Sequence, residues 1–159
     1  MCGGAMMIQS DWSMENPKMS AKENKKLMES IFARVAAGDR AAFVDALADD
    51  VTMRVTGQYS WSRTFKGKTA LQRELYGYLQ TLLAEGRRTI PLRFIADDDH
   101  VVVEARGDMK TKAGVRYDNE YCLIYRLKDG RIVEIREYCD SVLTEAVLGK
   151  FPEPAQAES

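Results

Sequence analysis

The stretch Val133-Glu134-Ile135-Arg136-Glu137-Tyr138-Cys139-Asp140 carries the residue with the clearest chemical potential in the chain. Read as a strand, its side chains alternate between two faces. Val133, Ile135, Glu137 and Cys139 form one row, and Glu134, Arg136, Tyr138 and Asp140 the other. The first row is apolar except for Glu137, which assigns the row, carboxylate included, to the interior. A carboxyl group in an apolar wall is costly to ionise, and its pKa rises unless a donor stabilises the charge. That suits a general acid or base working near neutrality. Two plainer readings stand beside this one: Glu137 reaches water at the end of the sheet, or it pairs with Arg136 or Arg63.

Partners for such a group lie on the preceding segment. There Asn119, Tyr121, Leu123 and Tyr125 make the larger, uncharged row. Asn119 and Tyr121 are expected to orient a ligand or to stabilise a developing oxyanion. Met53, Trp61, Tyr76 and Cys139 are expected to shape the wall. Trp61, Tyr59 and Phe65 suit either a pocket mouth or core and dimer contacts. Cys139 reads as packing, because no base is evident to activate its thiol. The single histidine, His100, follows Asp97-Asp98-Asp99. One hairpin corner does not converge four ligands, so a solvated turn is expected there and no metal or cofactor.

The elements that must position these residues follow from periodicity and punctuation. Residues 24–38 read as a helix with Leu27, Ile31, Phe32 and Val35 on one face. A short helix over 40–49 precedes a strand at 51–57, which turns Met53 and Val55 inward and Arg54 outward. Residues 59–67 continue as a loop or short hairpin arm. Residues 69–85 make a second long helix with a stripe of Leu71, Leu75, Leu79 and Leu82. Four strands follow, at 87–97, 100–111, 115–127 and 131–140. Pro91 marks an edge or a bulge in the first of them. Lys128-Asp129-Gly130 is a hairpin signal. On the second strand Val101, Val103, Ala105, Gly107 and Met109 face inward, the small Ala105 and Gly107 leaving room for a ligand. Asp140-Ser141 caps a last helix. The order is α+β: a conical, curved antiparallel sheet with helices covering its open side.

The 159 residues suffice for one domain with one core. Flexible tails are expected at 1–22 and 151–159 around a domain at 23–150. The 23 basic and 24 acidic side chains form no basic stripe, which argues against a nucleic-acid partner. No apolar run approaches the roughly 20 residues of a membrane span. The start has no secretory pattern, and the three cysteines have no CxxC spacing. The odd number and spacing of the cysteines favour a reducing cytoplasm.

Three stretches together resemble a known family: AAGDRAAFVDALADDVTMRVTG (36–57), FKGKTAL (65–71) and YDNEYCLIYRLKDGRIVEIREYCD (117–140). They are similar to the SnoaL-like group of the nuclear transport factor 2-like superfamily, which also contains ketosteroid isomerase. The resemblance spans about 24–149. It implies a conical α+β barrel and a homodimer formed through the outer sheet face, but no single activity. At positions matching limonene-epoxide hydrolases, Glu137 stands where one catalytic Asp stands. The Arg and second Asp of that set fall at about Ala105 and Gly107, and its Tyr and Asn at about Met53 and Val55, so most of it is missing. The strands HVVVEARG and YDNEYCLIYRLKDGRIVEIREY are similar to the small paired phenazine-biosynthesis proteins, including a Glu at Glu137 that acts as acid/base there. The helical His of that family falls near Glu74. The aspartate base and oxyanion hole of ketosteroid isomerases have no secure counterparts.

The expected function is a cofactor-independent acid/base enzyme, of isomerase, cyclase or dehydratase type, acting on a small, mostly apolar or aromatic ligand. A non-catalytic ligand-binding module and a dimeric scaffold domain of the same fold remain open at this point.

Overall fold

The structure, a computed structural model, describes residues 17–153. Residues 1–16 and 154–159, which hold most of the two expected tails, lie outside the described residues. Helix α1 (Ala21–Ala36) starts inside the first expected tail, because a capping box satisfies its free N–H groups. The Ser20 Oγ accepts from the Glu23 N–H at 3.3 Å, and the Glu23 carboxylate accepts from the Ser20 N–H at 2.8 Å. Met28 and Ile31 are buried, with Leu27 and Phe32 packed beside them. Val35 lies at the rim of this face and is 36% exposed, unlike its expected place in the stripe.

Helix α2 (Ala41–Ala46) leads straight into strand β1 (Leu47–Val55), which begins earlier than its alternation suggests. A register irregularity between Leu47 and Thr52 lets the apolar Leu47 reach the core ahead of the regular ladder. Strand β2 is short (Thr64–Lys66). The roof is one helical run: α3 (Lys68–Ala70), a π-helical stretch (Leu71–Tyr76) and α4 (Gly77–Leu82). It stops at Leu82, short of 85, because Leu83 turns extended and bridges to Thr111. Strands β3 (Arg88–Asp97), β4 (His100–Asp108), β5 (Glu120–Lys128) and β6 (Arg131–Cys139) follow, then helix α5 (Ser141–Leu148).

The six strands make one curved, open sheet in the order β2-β1-β6-β5-β4-β3. Strands β3 to β6 form an antiparallel meander, whereas β1 runs parallel to β6. Pro91 lies on the edge strand β3 beside a register shift, so no ladder hydrogen bond is lost in the sheet centre. The inward rows match alternation on β1, β4 and β5: Met53, Val55, Val101, Val103, Ala105, Leu123 and Tyr125 are all buried. Arg54 faces solvent.

Two features depart from plain alternation. Leu127 pairs with Ile132 and Arg126 with Glu134, leaving Val133 as the extra residue of a bulge. The bulge puts Ile132 in the core alongside Ile135, and Val133 yields the inward place assigned to it. The small size of Gly107 does not open a cavity. The chain at 117–119 crosses directly over it: the Gly107 N–H donates to the Asn119 carbonyl at 2.7 Å, and a Cβ would sit 3.2 Å from the Tyr117 carbonyl. The same crossing delays β5 until Glu120, five residues later than expected.

Candidate functional site

Glu137 sits on β6 between Val55 of β1 and Leu123 of β5, its partners in register on either side. Both neighbours are buried and apolar. Its backbone carbonyl accepts from the N–H of Thr56 at 3.0 Å and from the Thr56 hydroxyl at 2.8 Å, which pins this point of the strand. Burial alone pushes the Glu137 carboxyl up to about 7. Neither arginine considered as a partner reaches it. Arg136 donates to Glu134 at 2.8 Å on the outer face, and the Arg63 guanidinium lies 4.0 Å from the Phe151 ring centre.

Phenols and a thiol surround the carboxyl. Burial raises the pKa of Tyr76, Tyr121, Tyr125 and Tyr59 above the ordinary tyrosine range, and the charge on Glu137 raises each further. Burial, then the charge on Glu137, also raises the Cys139 thiol. All five side chains therefore stay neutral at pH 7. The Tyr76 hydroxyl donates to Met53 Sδ at 3.8 Å, a weak acceptor that leaves it largely uncommitted. Tyr59 places its hydroxyl 3.4 Å from Cys139 Sγ. Phe43 packs edge-on against both Tyr76 and Tyr125, with ring centres 6.4 and 6.2 Å away. The π-helical stretch ends at Tyr76.

The structure thus brings together Glu137, Tyr121, Tyr76, Met53 and Cys139, and separates two other expected site residues. Asn119 is fully buried and its amide is consumed. Its two Nδ2 hydrogens are shared among the Asp140 carbonyl, Thr144 Oγ1 and the Tyr117 hydroxyl, and its Oδ1 accepts from the Asp140 N–H, all at 3.0–3.1 Å. It clamps the residue just before β5 to the start of α5 and has nothing left for a ligand. Trp61 is buried elsewhere, donating from Nε1 to the Gly149 carbonyl at 2.8 Å and stacking with Tyr78 and Phe151. Phe151, at the head of the second expected tail, is itself buried in that cluster. Tyr125 and Tyr59 join the site instead. Tyr125 shares the inward row of Tyr121, so alternation marks it; Tyr59 comes from a loop with no period to read.

Asp140 caps α5, accepting from the N–H groups of Val142 and Leu143. His100 Nδ1 lies 2.6 Å from Asp99 at the β3–β4 turn, remote from Glu137. Two concavities open away from this site. One of about 290 Å³ lies by the β5–β6 turn among Lys18, Asn24 and Lys128, and one of about 250 Å³ lies on the outer face among His100, Ile124 and Arg136. No helix among the described residues is long and apolar enough to cross a membrane.

Residues 28–135 match the model of the SnoaL-like domain. The chain belongs to the SnoaL-like family. The matched segment of this SnoaL-like protein ends two residues before Glu137, so the match identifies the scaffold and not the carboxylate. No curated protein matches the sequence. Among solved structures it is similar to a nuclear transport factor 2-like protein of unknown function from Burkholderia pseudomallei (TM-score 0.68, 20% identity, covering 81% of this chain and 98% of that one). It is also similar to a Bacillus subtilis protein named as an isomerase (TM-score 0.63, 19% identity, 85% and 100% covered). A third is named as a SnoaL-like polyketide cyclase, from Jannaschia sp. (TM-score 0.65, 14% identity, 83% and 95% covered). At these identities the likeness concerns the fold.

Proposed function

We propose that this SnoaL-like protein is an acid/base enzyme in which Glu137 moves a proton on a small, mostly apolar ligand, as an isomerase, cyclase or dehydratase does. The observation that carries this reading is an inward carboxyl, unpaired with any cation among the described residues, between the buried Val55 and Leu123 and beside phenolic side chains; burial there pushes its pKa up to about 7. Its position on the wall of a hollow is supported by a contrast. The carboxyl has no hydrogen bond among the described residues, yet Arg63 Nε is the one described side-chain nitrogen or oxygen both buried and without a partner. The carboxyl oxygens therefore keep accessible surface. On a β,γ-unsaturated ketone, the Glu137 carboxylate takes a proton from the carbon between the carbonyl and the C=C bond, and the electron pair moves onto the carbonyl oxygen. The pair then returns to re-form the carbonyl while the same carboxyl gives the proton to the far carbon of the former C=C bond, which shifts into conjugation. Tyr76 and Tyr121, held neutral, donate hydrogen bonds to the oxygen as charge develops on it. Met53 and Cys139 shape the wall. The isomerase and cyclase names of two structural neighbours agree with this class of chemistry.

The same proposal includes a homodimer through the outer sheet face. Ile95, Val102 and Ile124 form a cross-strand apolar row there, and Ile95 is 50% exposed. Sedimentation of Ile124→Glu against wild type tests it, with a shift to monomer expected.

The acid/base reading is tested by carbon-detected NMR titration of the side-chain carboxyls. One carboxyl should titrate near 7 and vanish in Glu137→Gln. In a screen of enolisable cyclic ketones, Glu137→Gln should lose turnover and keep affinity. Titration of every carboxyl below pH 5, or undiminished turnover in Glu137→Gln, removes the catalyst.

A further inference from the structure

The loop at 56–63 between β1 and β2 is held on two sides by different partners. On its inner side Tyr59 reaches Cys139, at 3.4 Å, two residues from Glu137 along the same row. Its outer side is gripped by the end of the described chain. Ser60 donates from both N and Oγ to Glu145 Oε1, at 3.0 and 2.6 Å, and its Oγ accepts from the Phe151 N–H at 3.0 Å. Trp61 Nε1 donates to the Gly149 carbonyl at 2.8 Å. Gly149, with φ of +77°, turns the chain back after α5 in a conformation other residues rarely adopt. Phe151 then seats its ring 4.8 Å from Trp61 and 5.1 Å from Tyr78.

We propose that Tyr59 is the gate of the Glu137 site and that the segment Gly149–Phe151 is its latch. The proposal rests on the Glu137 reading for its purpose, admission of a ligand, but not for its geometry. Tyr59 seated on Cys139 covers this half-buried thiol from the loop side, and Phe151 and Gly149 hold the outer edge of the loop in that position. The latch is also held against a cost. Seating the Arg63 guanidinium over Phe151 leaves Arg63 Nε buried without a partner. Release would expose that group to water, so part of the packing lost on opening is offset. That is the balance expected of a segment that opens locally and not only with the whole fold.

Cys139 reports on the gate without any substrate. In a Cys2→Ser/Cys122→Ser background it is the sole thiol of the chain. Its alkylation by iodoacetamide, followed by mass spectrometry across pH to separate thiolate fraction from access, reads the opening equilibrium. Trp61→Phe keeps a ring and removes one hydrogen bond, so alkylation should accelerate about threefold. Phe151→Ala empties the latch pocket and should give roughly tenfold or more. Tyr59→Ala should accelerate it as well, and adding Phe151→Ala to Tyr59→Ala should then bring no further gain. These rates should depend only weakly on low urea, as a local opening does.

Unchanged rates in folded Trp61→Phe, full additivity with Tyr59→Ala, or a steep urea dependence overturns the latch. If Phe151→Ala does not fold, Trp61→Phe decides. No readout here uses turnover or the titration of Glu137. An ordinary Glu137 titration with latch-sensitive Cys139 sinks the proposed chemistry alone, and the reverse result sinks the latch alone.

Discussion

Glu134 and Glu137 lie on one strand, three residues apart, and are held in opposite ways. On the outer face Glu134 accepts from Arg136 at 2.8 Å and from Arg126 at 3.4 Å, and these two guanidinium groups hold its carboxyl below the usual range. On the inner face burial pushes Glu137 up to about 7, with no cation to oppose it. The difference shows that residue type says little about protonation and that the side of the sheet decides it. It also separates two uses of charge: Glu134 is spent on surface pairing, and Glu137 is left free to act.

The comparison can be broken most sharply at Glu137. Its folded pKa of about 7 lies above the ordinary carboxylate value of 4.5, so the fold binds the proton more tightly than the unfolded chain does. Stability from this group is fully present below pH 4.5 and is lost as pH rises through 7. The loss at pH 8 is about 3 kcal/mol. Glu137→Gln, a mimic of the neutral acid, should therefore be more stable than wild type at pH 8 by up to about that much, and nearly equal at pH 4.5. Urea melts at the two pH values check it; equal differences at both would mean Glu137 is not buried as a carboxyl.

The next largest effect sharpens what an inner polar group does when it is paired. Asn119→Ala should cost about 2 kcal/mol or more, because it strands buried groups of Tyr117, Thr144 and Asp140. Unlike Glu137→Gln, it should do so equally at all pH values, by the same melts. Asp140→Ala removes the α5 cap and should cost about 1 kcal/mol. Glu134→Gln should change stability least, by less than about 1 kcal/mol, and the change should shrink further in salt. If Glu134→Gln matched Glu137→Gln in size and sign, the contrast between the two faces would be gone.

Alternation on regular strands was enough to turn Glu137 inward along with the rows that hold Tyr121 and Met53, since side-chain direction on a strand is a local property. It failed where the ladder slips. At Val133 a bulge passes the core position to Ile132, and no local signal marks the slip. Asn119 looked free because its row was right. What uses up its amide is α5, which arrives from the next strand and brings Asp140 and Thr144 to it. Trp61 was drawn away from the site by Phe151, ninety residues further along.

The sequence by itself determined the class of fold, the open sheet with its inward apolar rows, the cap of α5, and the side of β6 on which the acid stands. All of these rest on periodicity or on neighbours a few residues apart. Only the tertiary structure decided which polar groups beside Glu137 remain uncommitted, and that Tyr59 and Tyr125 join it where Asn119 and Trp61 do not. Hydrogen-bond capacity is consumed by whatever the fold brings near, and those partners come from distant parts of the chain.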